Sequence, residues 1–531
     1  MSVIDVVILF AYLAAMMVLG FVVGKSNKTQ EDYFVGGRSM PWLPVALSVA
    51  ATTISANGFV GNPGYGYTEG LLPYMQSITI PLACFFALTT TAPMFYHLRV
   101  SSVYEYMELR LGRWSRLMAV AQFFINSLIQ VSSMVFVPSL LIQMVTGWEL
   151  NVIVPLVVIS AIIYTVAGGI KAVIWTDAIQ MIVMWGGLIA VIICSVRDSG
   201  LGFFGSIAEA AEAGRYNAFL FTSDLTKTNG FLAACFGIFM WTRYFCFDQA
   251  QMQRVLTSKS MGGVKRSFMS STIVMVVMTL TMLFVGTLLY GYYGGKEFAT
   301  VNEIMITFIL NDLPVGIVGL VVAAVFAAAM SSVDSLLNSM TTVFTKDIYE
   351  LYFAKEKGKT LSLKQTMYVS VVLGVVIIGI VILGFSGTVK SVLDVVGSYI
   401  SYFAGPALGA FLLAMFTRKA NDKGVAVGFV VGLILGYMIA STYHTSWLIN
   451  PMFGCVITLV VGYGLSFVFK NNKTAEEIEP YTLMGLRHKL IAEGKDVDDE
   501  GVSVIPFKMD KYAWGAMIVF LAQYVFLFII R

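Results

Sequence analysis

"FAAAMSSVDSLLNSM" occupies residues 326–340, inside an otherwise apolar run long enough to cross a bilayer. Four serines, an asparagine and an aspartate fall between Ser331 and Ser339. Small side chains alone would serve helix packing. An aspartate at that depth is costly and asks for a partner, a proton or an ion. At about 100° per residue, Ala328, Ser331, Ser332, Ser335 and Ser339 share one stripe of a helix, with Asp334 on its flank. Hydroxyls and main-chain carbonyls together suit a hard, monovalent cation such as Na⁺. A serine-lined packing face is the plainer alternative, but packing does not need a carboxylate.

The rest of the chain extends this membrane reading. Of its 531 residues, 58% are hydrophobic and only 12% charged, about half the charge of an ordinary soluble protein. Mean hydropathy is +0.80. Apolar stretches of about 20 residues, each enough for a bilayer core, alternate with charged loops. The pattern predicts an all-α polytopic membrane protein with about 14 transmembrane helices. The N-terminus, MSVIDVVILF, lacks a basic leader and is read as a retained first helix. The five cysteines lie in apolar segments without metal-ligand spacing and read as packing residues.

Lysines and arginines orient the spans. With the N-terminus outside, 27 of the 34 fall on the inner side, six outside, and Arg243 within a span. This asymmetry predicts both termini on the outer side of a plasma (inner) membrane. The basic residues form no patch for nucleic acid, so the lipid bilayer is the expected macromolecular environment. No phosphate-binding glycine loop appears, which argues against an ATP-driven pump.

Two spans read poorly as plain helices. Residues 48–67, "SVAATTISANGFVGNPGYGY", are crowded with small and polar residues, and 237–254, "GIFMWTRYFCFDQAQMQR", place Arg243 and Asp248 in or near the membrane. The spans lie five apart, as expected of two five-helix repeats whose first helices break at the midplane, where transporters place solute and ion sites. Close packing through small residues is the competing explanation. The predicted division is residues 1–42 (an extra helix and inner loop), 43–196 (first repeat), 197–229 (outer loop) and 230–418 (second repeat). Two additional helices (419–470), a cytoplasmic linker (471–510) and a last helix (511–531) follow.

"DYFVGGRSMPW" (32–42), "SSVYEYMELR" (101–110), "AGGIKAVIWTDAIQ" (167–180), "DQAQMQR" (248–254) and "MSSVDSLLNSMTTVFTKDIY" (330–349) resemble the sodium:solute symporters, over nearly the whole chain. The resemblance implies a leucine-transporter-type 5+5 inverted repeat with two broken helices. It implies one sodium held by the carbonyls of Ala51, Ile54 and Ala328 and the hydroxyls of Ser331 and Ser332. Some members hold a further sodium on the aspartate of the "WTD" block, here Asp177, with Ser331, Asp334 and Ser335 around it. Family members usually carry Ser or Thr where Asp334 stands. Two carboxylates around one cavity repel. A cation between them, a proton, or Lys171 or another basic group folding back would resolve the conflict, and Asp177 also reads as a structural partner of helix ends.

The same resemblance gives solute-pocket candidates: Thr53, Asn57, Gly58, Tyr74, Gln76, Gln130, Trp241, Tyr244 and Ser398. Met275 and Trp241 stand where galactose-transporting members have lysine and asparagine. Gln130 stands where sialic acid members have arginine. The blocks look more like the branch carrying monocarboxylates, vitamins and inorganic anions, and Arg243 is a candidate for the cation such a solute needs. An ion pair with Asp248, or snorkelling to an interface, is the other reading of Arg243.

The expectation is therefore a sodium-coupled symporter importing a small organic solute, such as a monocarboxylate or acidic sugar. A neutral sugar or polyol, or a solute sensor on the same fold, is the alternative. The three scattered histidines offer no nucleophile–base pairing, so no enzyme is expected. The sequence gives no oligomeric state; a monomer is the simplest reading.

Overall fold

The computed structural model describes residues 1–354, 360–384 and 389–531. Lys355, Lys357 and Lys359 of the predicted inner side, and residues 385–386 of a predicted span, lie outside the described residues. Among the described residues the regular elements are helices, with two isolated β-bridges. Eleven helices are long and apolar enough to cross a membrane, twelve with one bent pair taken as a single span. The sequence count of fourteen also divides the helix Leu150–Asp198 and includes the shorter apolar helix Phe231–Phe247. Leu150–Asp198 runs for 49 residues, but its backbone breaks at Gly169, with φ 54° and ψ −152°. A side chain there would collide with the Tyr33 carbonyl 2.6 Å away, so glycine fits both the turn and the close approach.

Burial sorts the helices. The segment Ile317–Phe353, which carries the serines, is 89% buried over its most apolar window, whereas Val3–Gly24 and Lys511–Ile529 are 28% and 22% buried. The serine helix is thus the central post. Its start is held by the first helix, where Asp5 accepts from the backbone N–H of Gly316 (2.7 Å) and Gly319 (2.9 Å). A carboxylate there offsets the unpaired amides and positive end of the serine helix. Helix contacts elsewhere rest on glycine: a Cβ on Gly66 would lie 2.1 Å from the Leu283 carbonyl, so substitution would force the two backbones apart.

Both predicted breaks are present. Trp42–Thr53 and Ala56–Glu69 meet at 65°, joined through extended Ile54 and Ser55. Phe231–Phe247 and Gln249–Leu256 are separated by extended Asp248, whose carboxylate caps the second half by accepting from the Ala250 N–H (2.9 Å). An 11-residue helix, Val301–Asn311, was not anticipated from the sequence. Residues 202–212 form a short helix in the predicted outer loop. The stretch 471–510 is a folded strap: Leu483, Leu486 and Leu490 are buried in the main core, and Tyr106 donates to the Tyr481 carbonyl (2.7 Å).

Candidate functional site

At the first break the helix loses its carbonyl partners, and the serine helix passes alongside. The Ser331 hydroxyl lies 3.4 Å from the Ala51 carbonyl and 3.1 Å from that of Ala328. Ser332 reaches the Ala328 carbonyl at 3.2 Å. Ile54 sits in the break itself. The donor set is neutral oxygen throughout, the chemistry that a weakly binding monovalent cation tolerates and a divalent ion does not favour. No group of three or more His, Cys, Asp or Glu able to hold a metal occurs among the described residues.

A second cluster lies one turn further along the serine helix. Asp177 accepts from the Ser48 hydroxyl (2.5 Å), and the Arg254 guanidinium lies 3.2 Å from the same carboxylate oxygen. Arg254 also donates to Ser48 (2.6 Å), to the Ala250 carbonyl and to the Ser335 hydroxyl. Asp334 accepts from Tyr164 (2.7 Å) and Ser335 (3.1 Å). Asp177, Asp334, Arg254 and Ser335 are all fully buried. The other oxygen of Asp177 has no hydrogen-bond partner among the described residues. The positional count of charges assigned Arg254 to the inner loops and helix ends. That is corrected here: its side chain turns into the bundle, because the second break aims the helix Gln249–Leu256 past Ser48. Lys171, offered as the basic group that folds back, instead pairs with Asp32 (3.2 Å). The signal for Arg254 was the need of Asp177 for a counter-charge, but spacing alone did not say which residue supplies it.

The solute candidates divide. Tyr244 donates to the Thr52 carbonyl (3.3 Å), and Thr53 accepts from Gln251 (3.2 Å), joining the two breaks. Trp241 packs edge-on against Tyr244 and donates to the Gln76 carbonyl (2.8 Å). Asn57 and Gly58 open the second half of the first broken helix, and the buried Asn57 side-chain carbonyl has no hydrogen-bond partner among the described residues. Gln130 is half-buried on Arg113–Thr146. Tyr74 points elsewhere: its hydroxyl donates to Gln523 of the last helix (2.6 Å), in a separate core cluster. The Ser398 carbonyl accepts from Ser401 (2.6 Å) within its own helix. Arg243 pairs with Asp248 at 2.8 Å, and both are buried. That ion pair accounts for the arginine's charge without a solute.

Broken helices, a central serine post and clustered neutral oxygens define a secondary transporter of the inverted-repeat class. The Sodium:solute symporter family model matches residues 33–432, and the chain belongs to that family. It is 31% identical to the sodium/sialic acid symporter SiaT of Proteus mirabilis (strain HI4320), over 81% of this chain and 88% of that one. It is 30% identical to the human sodium-coupled monocarboxylate transporter 1, over 78% of this chain and 68% of that one. A solved Na⁺-coupled sialic acid symporter, substrate-bound and outward-open, gives a TM-score of 0.79 at 27% identity, covering 89% and 99% of the two chains. Mhp1, a nucleobase-cation-symport-1 family transporter solved in a closed conformation, gives 0.53 at 13% identity over 85% and 98% of the chains, a likeness of fold alone. The chain is a multi-pass, sodium-coupled symporter of a small solute, not an enzyme.

Proposed function

We propose that the protein imports a small organic anion, a carboxylate, together with Na⁺ across a bacterial-type inner membrane, with both termini outside. The observation that carries the anionic reading is the start of Ala56–Glu69. There Ser55 caps Gly58 (3.3 Å), and the helix's unpaired amides open toward the break. A helix N-terminus favours negative charge, and transporters of this architecture use it for anionic solute groups. Arg243, engaged by Asp248, is not needed for recognition. The Gln76 amide donates to Asn229 of the outer loop (2.6 Å); a carboxylate read by backbone amides, with Asn57 and Gln130 supplying neutral contacts, fits Gln130 in place of an arginine. The names of the relatives, sialic acid and monocarboxylate symporters, lie in the same chemical class.

Sodium at Ala51, Ile54, Ala328, Ser331 and Ser332 ties the first broken helix to the serine helix and favours the outward-open, solute-competent state. Inward opening separates the two helices and releases both cargoes. At about −100 mV and a tenfold gradient, one Na⁺ supplies about 3.7 kcal/mol, but carrying a monoanion inward against the potential costs about 2.3, which leaves roughly tenfold accumulation; two Na⁺ leave about 5.1 kcal/mol, a few thousandfold. We infer a second Na⁺ beside Asp177, Asp334, Ser331 and Ser335. Two carboxylates face one guanidinium there, which leaves one negative charge to balance. The protein works as a monomer in the bilayer.

The test is uptake into proteoliposomes. Sialic acid, lactate, pantothenate and galactose are offered with and without an inward Na⁺ gradient. Sodium-driven accumulation of a carboxylate is expected. Accumulation of galactose that no carboxylate inhibits would replace this reading with the neutral-sugar one.

A further inference from the structure

We propose that the basic face of the bundle holds a site for a phosphate-type oxyanion, in a cavity between the end of the second broken helix (Val255, Leu256) and the segment that leads into the first (Gly37, Arg38). The cavity measures about 240 Å³ and is lined by Arg38, Arg99, Lys259 and Ser258, with Glu31 and Tyr96 at its walls. Among the lining residues three cations stand against one carboxylate; Glu105 lies within electrostatic reach of Arg38, and Asp498 and Asp499 within reach of Tyr96. Arg38 is committed to the walls, donating to the carbonyls of Leu256 (3.2 Å) and Arg99 (2.8 Å), with Glu31 3.6 Å away. Arg99 and Lys259 have no carboxylate partner among the described residues, and both side chains are exposed. Asp498 and Glu500 of the adjoining strap are engaged by Gly262, Ser260 and Arg266.

An independent observation points to a ligand. Ser258 is one of the residues lining this cavity; it is 3% exposed, and its buried hydroxyl has no hydrogen-bond partner among the described residues. A buried hydroxyl left unpaired costs about 1–3 kcal/mol, a cost that an incoming acceptor removes. A guanidinium fork, an ammonium and a hydroxyl are all able to donate to the three oxygens of a phosphate group. The space beyond suffices for an attached ester.

The place gives the site its consequence. Met40, which leads into the first broken helix, donates its N–H to the Thr257 carbonyl (3.1 Å) and bridges to Ser258, just past the second broken helix. Arg38 precedes the first of these helices and Lys259 follows the second. An anion bridging Arg38 and Lys259 ties together the segments that flank the two broken helices, at the end where, on the function proposed above, the first broken helix parts from the serine helix to release solute. A phospholipid headgroup and a soluble phosphate share this chemistry.

Binding tests the site without relying on transport. Delipidated protein in detergent is titrated with inorganic phosphate against chloride at matched ionic strength, followed by calorimetry. Saturable binding is expected, weakened at least tenfold in the Arg99→Gln/Lys259→Gln double variant and kept within a few-fold in Arg99→Lys. In the second arm, nanodiscs of phosphatidylglycerol or phosphatidylcholine receive the same phosphate titration. Loss of phosphate binding only in phosphatidylglycerol identifies the lipid headgroup as occupant. Binding unchanged in both identifies the soluble anion. No saturable phosphate binding to delipidated wild type, or equal binding by wild type and the double variant, overturns the proposal.

Discussion

The two polar clusters on the serine helix are built on opposite principles. The one at Ala51, Ala328, Ser331 and Ser332 contains only neutral oxygens. The one at Asp177, Asp334 and Arg254 brings together two carboxyl groups and a guanidinium, all buried. A neutral site gains and loses a cation with little electrostatic penalty when it is empty, which suits an ion that must leave every cycle. A charged site cannot be left unbalanced in a low-dielectric interior. Arg254 stands there as a resident positive charge beside Asp177, and on the proposed function this sets how strongly a mobile cation is still required.

The largest effect expected from this contrast is on Arg254. Arg254→Gln leaves two carboxylates facing each other with no guanidinium, a loss on the order of 3–5 kcal/mol for a buried pair broken on one side. Folded yield and thermal stability in detergent should fall sharply. Adding Asp177→Asn should restore much of the stability, because the excess charge leaves with it. Equal instability of the single and double variants would mean that Arg254 acts through its bonds to Ala250 and Ser335 and not through charge.

Asp334→Ser comes next, since it removes one charge and keeps a hydroxyl at the position. With Asp177 and Arg254 then balanced, the second cation loses its electrostatic reason. Symport should continue with the coupling ratio falling from two Na⁺ per solute toward one, read from the reversal potential of uptake in proteoliposomes at set gradients. A wild-type ratio of one would refute the second sodium, and a ratio unchanged by the substitution would detach it from Asp334. Asp177→Asn should damage coupling more, because it also strands Arg254.

Much of this arrangement is legible in the sequence. The serine stripe follows from helical period, and the two breaks follow from Gly, Pro and polar residues in spans that should be apolar. The pairing of Arg243 with Asp248 is open from their proximity. What escapes is set by directions that sequence spacing does not carry. Arg254 lies near loop-side charges and reads as one of them, yet the tilt of its half-helix buries it. Tyr74 meets Gln523, a partner 449 positions away. The strap at 471–510 reads as polar linker because its buried leucines are few, and only the surface it covers gives them a core.

Ser331 tests whether the two clusters are independent. Its hydroxyl faces Ala51, while its carbonyl accepts from Ser335 (2.5 Å) beside Arg254. Ser331→Ala should raise the Na⁺ concentration for half-maximal uptake about tenfold, on the order of 1.4 kcal/mol. The carbonyl survives the substitution, but the hydroxyl is proposed for both ions, so the cooperativity of the sodium dependence should also fall.

Ser332→Ala is the smallest and most selective probe. The Ser332 hydroxyl donates to the Ala328 carbonyl of its own helix (3.2 Å), and among the described residues no hydrogen bond links it to Asp177, Asp334 or Arg254. Its removal deletes one ligand oxygen from the neutral site, and the net worth of such a bond is about 1 kcal/mol. Half-maximal uptake should therefore need roughly fivefold more Na⁺, with normal insertion and an unchanged Na⁺-to-solute ratio. Sodium dependence that matches wild type would remove Ser332 from the ion's coordination. A changed ratio would mean that the neutral and charged clusters act as one site, and the contrast between them would fail at its mildest perturbation.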